Sequence, residues 1–242
     1  MDIVSDHPTK NKFDITAQAP DMLTAALLYA RRGWHVFPLH EPVFDDQGDC
    51  VGCTCEAHKR SESYRQWLVS QGREKDFDPD FVCTNQGKHP IGSDFAGTLG
   101  FRMATTDEKQ IRHWWRLHPT ANIGWYPGPS GHAVLDADAY KDEYDGEDLL
   151  GSTDTVTQLS GGGGAHYIFS KPDGVSYSNA PGTLPRGIDV RADGGYVVVA
   201  PSMHKSGFRY QWELDSAPHE LDPLPIPDHI HEILTTATAH TA

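Results

Sequence analysis

The run Ala133-Val134-Leu135-Asp136-Ala137-Asp138 constrains this chain more than any other segment. Apolar residues lead to a carboxylate, an alanine and a second carboxylate, the pattern of a buried strand that delivers charge at its end. Strand side chains alternate in direction, so Asp136 and Asp138 point to one face and can share a divalent cation. Two later segments have the same strand character. Ser160-Gly161-Gly162-Gly163-Gly164 opens into Ala165-His166-Tyr167-Ile168-Phe169, and Gly187-Ile188-Asp189-Val190-Arg191 precedes Gly194-Gly195-Tyr196-Val197-Val198-Val199-Ala200-Pro201-Ser202.

With 242 residues, 38% of them apolar, and a mean hydropathy of -0.53, the chain can bury a core of its own. One catalytic domain is expected over residues 21–215, with an inserted loop at about 41–92. Residues 1–20 read as a flexible N-terminus, and residues 216–242 as a Pro-rich linker and frayed tail. No apolar run approaches the roughly 20 residues needed to span a bilayer. The polar start of the chain is no secretory signal, so a cytoplasmic protein with reduced cysteines is expected.

The net charge of -14 argues against a general nucleic-acid coat, which must neutralise many phosphates with Lys and Arg. The charge is uneven. Asp136, Asp138, Asp142, Glu143, Asp145, Glu147, Asp148 and Asp154 face one base, Lys141, whereas residues 186–211 carry Arg186, Arg191, Lys205 and Arg209 against Asp189 and Asp193. A local basic surface thus survives inside an acidic protein, and the acids at 142–148 read as a solvated face.

Residues 21–33 are rich in helix formers, open near Asp21 and close at Gly33, which predicts an amphipathic helix. Residues 34–39 follow as a strand. Thr105-Thr106-Asp107-Glu108 has capping spacing and leads through Ile111, Trp114, Trp115 and Leu117 to Pro119, which predicts a second helix. Strands are predicted at 122–126, 132–136, 155–159, 165–169, 187–190, 196–200 and 208–213, with an acidic helical segment reaching Leu150. Helices early and strands late, with glycine-led turns between strands, give an α+β domain with a mixed or antiparallel central sheet.

The order of these pieces, from a Gly33-Trp34 junction before a strand, through Asp136-x-Asp138 and the glycine-led strand bearing His166, to Asp189 and Pro201-Ser202, resembles the bifunctional DNA primase/polymerase (prim-pol) branch of the archaeo-eukaryotic primase superfamily. The resemblance runs from about Met22 to Glu213. It implies that Asp136, Asp138 and Asp189 hold two magnesium or manganese ions. Such a pair lowers the pKa of an attacking 3′-hydroxyl and clamps a triphosphate. It also implies that His166 contacts the incoming nucleotide, with Ser160 and the glycines as loop wall. The glycine run is not a Walker loop, because no Gly-Lys-Ser/Thr follows. Arg191 faces the side of Asp189 and suits either a phosphate or a salt bridge with the acids. Ser202, His204 and Lys205 stand where relatives have a loop near the nucleotide, and Tyr140 is either a sugar gate or a packed strand-end tyrosine.

Cys50-x2-Cys53-x-Cys55, then Cys83-x5-His89, fall in the long region that lacks periodicity. Three thiolates and an imidazole would close a tetrahedral zinc site and give such a loop its own source of order. Similar prim-pols carry Cys-x-Cys and a later Cys before Gly-Lys-His-Pro, matched here by Gly87-Lys88-His89-Pro90. On that basis Cys53, Cys55, Cys83 and His89 are the expected ligands, with Cys50 and His58 as alternates. Lys88 is either a phosphate contact or an exposed lysine beside the loop.

The activity so implied is priming and extension of DNA from NTPs or dNTPs on a single-stranded template, in plasmid, phage or mobile-element replication. No Walker motif is present, so a helicase would be separate or lost. Two other readings remain. One uses the carboxylates for phosphodiester hydrolysis, as in a nuclease or relaxase, although neither a nucleophilic Tyr nor a clustered His motif is evident. The other is a noncatalytic replication initiator that retains the fold.

Overall fold

The computed structural model describes residues 21–92, 100–139, 144–151, 154–178 and 184–239. The first helix forms as α1 (Met22–Arg31), where the Asp21 carboxylate accepts the Thr24 amide at 2.8 Å. Gly33, at φ 80°, turns the chain out of it into β1 (His35–Leu39). A hairpin of β2 (Pro42–Phe44) and β3 (Cys50–Cys53) comes next, then α2 (Thr54–Lys59) and α3 (Glu62–Ser70). The expectation of an unstructured loop at 41–92 is therefore corrected. Helix α3 begins on a Ser61 cap and buries only Leu68, which leaves almost no apolar periodicity in the sequence.

The second expected helix is α4 (Glu108–Leu117), capped by Asp107. Its Glu108 carboxylate meets Arg31 at 2.8 Å and Arg112 at 3.2 Å. The remaining elements are β4 (Asn122–Tyr126), β5 (His132–Ala137), a short α5 (Glu147–Leu150), β6 (Val156–Leu159), β7 (Ala165–Ser170), β8 (Ile188–Arg191), β9 (Val197–Val199), β10 (Gln211–Trp212), β11 (Leu224–Pro225) and α6 (Asp228–Ala239). Among the described residues no helix is long and apolar enough to cross a membrane.

Two sheets result. The smaller has the order β1-β4-β9, and the larger β10-β6-β7-β5-β8, with every pairing in those two paths antiparallel. Strand β11 adds a parallel pairing at the end of β7. The architecture is the expected α+β arrangement of antiparallel sheets flanked by helices.

Strand β5 is buried on both faces, and the period of two sorts its side chains. Val134 packs with Ile168, Val156, α1 and the smaller sheet, whereas Ala133, Leu135 and Ala137 join Phe169, Ile188 and Val190 on the other side. That second side is covered by Ile226, Ile230 and Leu234 of the C-terminal segment, all at most 7% exposed. The linker-and-tail reading of 216–242 is thus also corrected. Its Pro-, Thr- and Ala-rich composition masks three aliphatic residues spaced every four positions, each contributing roughly 1.5–3 kcal/mol on burial.

The smaller sheet and α1 meet the larger sheet through aromatic rings. Trp34 stacks on Trp125 with centroids 4.0 Å apart and on Tyr29 at 5.4 Å. His132 stands edge-on to both tryptophans at 5.7 and 5.5 Å, and burial pushes its imidazole down to about 4. Since the folded value lies below the unfolded one, this group's stabilisation is complete above about pH 6.5 and is lost as pH falls towards 4. Denaturant titrations at pH 7 and pH 4.5 should therefore show the wild type losing roughly 2–3 kcal/mol more than His132→Phe over that interval.

Candidate active site

Strand β5 brings Asp136 between two partners. In register it is opposite His166 on β7 and Asp189 on β8, and His166 is in turn opposite Gln158 on β6. Directly opposed residues share a sheet face, so Gln158, His166, Asp136 and Asp189 form one polar row across four strands. The neighbouring row on the same face is apolar up to its last member: Val156, Ile168, Val134, then Arg191. Arg191 stands on the face of Asp189, as strand alternation requires.

Contacts along the row are short. His166 Nε2 lies 3.3 Å from Asp136 Oδ1, and His166 Nδ1 lies 2.8 Å from the Gln158 amide nitrogen. Burial raises the Asp136 carboxyl, but the hydrogen bond from His166, with the charges of Arg191 and Lys88, outweighs it and leaves the group below its ordinary value. Asp189 is more exposed and pairs with Arg191 at 3.0 Å. Asp138 follows the end of β5, its amide donating to the Gly187 carbonyl at 2.8 Å, and its carboxylate lies beside Gly164. The three carboxylates do not draw together within 4.8 Å as a set; among the described residues the three-ligand group of that size is Cys53, Cys55 and Cys83.

A cavity of about 390 Å³ opens over this row. Asp136, His166 and Arg191 line one side, Asn85, Lys88 and His89 another, and Phe101, Tyr196 and Tyr210 supply aromatic wall. The cationic groups collect here despite the acidic chain. Of the three predicted carboxylates only Asp136 lines the cavity; Asp138, Asp189, Ser160 and Lys205 do not, and Lys205 is on the exposed turn at 203–209. Ser202 is fully buried and accepts the Ile123 amide at 2.8 Å, which makes it part of the strand packing. Tyr140 falls outside the described residues.

The glycine run is packed more tightly than an open phosphate loop. Gly164 N–H donates to Ser160 Oγ at 3.0 Å and Gly163 N–H to the Ser160 carbonyl at 3.1 Å, so two loop amides are engaged within the turn. Gly161 and Gly162 lie against His204, and Ser206 Oγ donates to the Gly161 carbonyl at 2.6 Å. The glycines admit the 203–209 turn, which carries His204 and the 71%-exposed Phe208, to the edge of the site.

The thiols of Cys53, Cys55 and Cys83 are buried together, and His89 Nδ1 approaches Cys55 at 3.5 Å and Cys83 at 3.4 Å. Hydrogen bonds from the Cys55 thiol and from His89 pull Cys53 down, while the Cys53 sulfur and burial push Cys55 up. The three soft sulfurs could hold a metal ion, and His89 adjoins them without belonging to the three-ligand group. Cys50 and His58 lie outside the group; Cys50 faces the Gly52 carbonyl and His58 packs on Tyr64. The loop so gathered is tied to the fold: the His40 amide donates to the His89 carbonyl at 2.8 Å, Asn122 Nδ2 to Gly87 at 3.1 Å, and Tyr196 Oη to Lys88 at 2.6 Å.

Several site members were not singled out by the sequence, namely Gln158, Asn85, Phe101, Tyr196 and Tyr210. Only Gln158 leaves a trace there, as a polar residue two positions from Val156 and so on the same strand face.

A polar row on an antiparallel sheet lies beside a cavity with basic and aromatic lining. The family model for "bifunctional DNA primase/polymerase, N-terminal" matches residues 26–228, most of the chain. The chain belongs to that family, and its function is of the primase/polymerase type. No curated protein matches it.

The packing of the glycine run can be tested directly. A Cβ at Gly161 would lie 2.6 Å from both the His204 Cβ and the Phe208 carbonyl oxygen. Gly161→Ala should cost about 1–3 kcal/mol in denaturant melts, whereas an open, unpacked loop would tolerate it.

Proposed function

We propose that the protein is a template-directed DNA primase/polymerase that transfers nucleotides from NTPs or dNTPs onto single-stranded DNA. The observation that carries the reading is Asp136, paired in register with His166 and Asp189, at a cavity that His166, Arg191 and Lys88 also line. Carboxylates from adjacent strands suit magnesium or manganese, and Asp136, Asp138 and Asp189 would hold them. Bound there, the ions would acidify the 3′-hydroxyl and neutralise the triphosphate. Around them Arg191 and Lys88 hold phosphate oxygens, His166 steadies the triphosphate, and the aromatic wall shields the nucleotide from water. Ser160 supports the reading as the residue that fixes the glycine turn, and Lys205 as a peripheral contact for template phosphate. Plasmid, phage or mobile-element replication is the setting this chemistry fits, on a template that is single-stranded when it is copied.

The thiol cluster is proposed as a structural zinc site of Cys53, Cys55, Cys83 and His89. Its role is to fix the loop that carries Lys88 into the cavity.

With manganese, a primed template and labelled nucleotides, purified protein should extend the primer, and Asp136→Ala should abolish incorporation by at least about a hundredfold with an unchanged melting curve. Template degraded without added nucleotides would make the protein a phosphodiesterase instead. Elemental analysis should find zinc at one per chain. Cys83→Ser should lose the metal and lower the melting temperature, and it should weaken nucleotide binding through the untethered Lys88 loop. A stable, metal-free wild type with full activity would remove the zinc assignment.

A further inference from the structure

The Gln158 amide is fully buried where the two sheets meet. Its orientation is set by the backbone. The Ala200 N–H can only donate, so the atom it meets at 2.7 Å is the amide oxygen, and the amide nitrogen donates to the Val198 carbonyl at 2.9 Å. The second amide hydrogen then points at His166 Nδ1, 2.8 Å away. A ring nitrogen that faces an N–H donor must offer its lone pair, which leaves the imidazole proton on Nε2. That side of the ring faces Asp136 and the cavity.

We propose that Gln158 is a positioning residue that locks His166 in the Nε2–H tautomer, so that the ring presents a fixed hydrogen-bond donor, facing Asp136 Oδ1 at 3.3 Å in the free site, which a phosphate oxygen of a nucleoside triphosphate shares or takes over on binding. The opposite tautomer is disfavoured at both ends. It would set N–H against N–H at Gln158, and it would turn a lone pair towards the Asp136 carboxylate and an incoming phosphate. Nor can the amide flip to relieve the first clash, because flipping would oppose its oxygen to the Val198 carbonyl and its nitrogen to the Ala200 N–H. A side chain that joins the two sheets therefore also dictates the chemistry of a ring in the active site. The phosphate half of the inference rests on the function proposed above, but the tautomer half does not.

Nitrogen-15 NMR of histidine-labelled protein without nucleotide or template tests it, with the His166 signals assigned by their loss in His166→Gln. The wild type should carry the proton on Nε2 and a bare Nδ1. In Gln158→Glu an acceptor replaces the donor, and a proton should appear on Nδ1. Nucleotide binding should weaken about tenfold or more as the Nε2 donor loses its fixed orientation. A wild-type ring protonated on Nδ1, or a pattern unchanged in Gln158→Glu, would overturn the proposal. If the variant fails to fold, the wild-type spectrum alone decides. A protein with the Nε2–H ring that incorporates no nucleotide refutes the polymerase reading alone, and an active polymerase with the Nδ1–H ring refutes this inference alone.

Discussion

The pairing of β5 between β7 and β8 is the constraint on which the rest of this structure depends. Because side chains alternate, one register decision places Asp136 beside both His166 and Asp189 while sending Leu135 and Ala137 to the opposite core. A slip of one residue would reverse both outcomes, burying the carboxylate against α6 and exposing the leucine to the cavity. The apolar residues therefore specify the polar site, since burial of Ala133, Leu135, Val190 and Phe169 fixes the register that the acids need. Helix α6 belongs to this arrangement because it covers the face whose burial sets that register.

A second dependence links the thiol cluster to the same cavity. Cys83 and His89 bracket Asn85 and Lys88, two groups that line the same cavity as Asp136 and Arg191. The segment between them has little apolar content, so its order comes from the clustered sulfurs and from hydrogen bonds to Asn122, Tyr196 and His40. Gly87, at φ 80°, lies so close to Pro42 and Asn122 that no larger residue fits without displacement. The result is a lysine held over an acidic row by elements remote in sequence, and a cationic cavity within a chain of net charge -14.

The parts of the fold and site that were legible in the sequence are those where one segment carries its own signal. Strand alternation in 133–138 and 188–191 is local, as are the caps of α1 and α4, and the spacing of the cysteines points to one cluster. What stayed hidden depends on contacts between segments. Gln158 looks like an ordinary strand polar residue until β9 comes to rest beside it. The hydroxyl of Ser202 looks available for a substrate until the Ile123 amide is seen to claim it. Helix α3 could not be found by periodicity because it buries so little, and α6 was concealed by the prolines before it. Exposed Lys205 shows the converse: a chain position close to the site in sequence need not reach the cavity.

Burying a glutamine, a histidine and an aspartate side by side would be costly if any of them were left unpaired. Here each polar atom on the inner side has a partner: the glutamine satisfies two backbone groups of the smaller sheet and the imidazole, and the imidazole satisfies the carboxylate. Low local dielectric then strengthens every link and makes rearrangement expensive. Solvent reaches the row at its other end, where the Asp136, Arg191 and Asp189 side chains are progressively more exposed. Such a row is rigid where it meets the core and open where it meets solvent. That asymmetry lets a sheet hold a ligand's charge without itself having to reorganise.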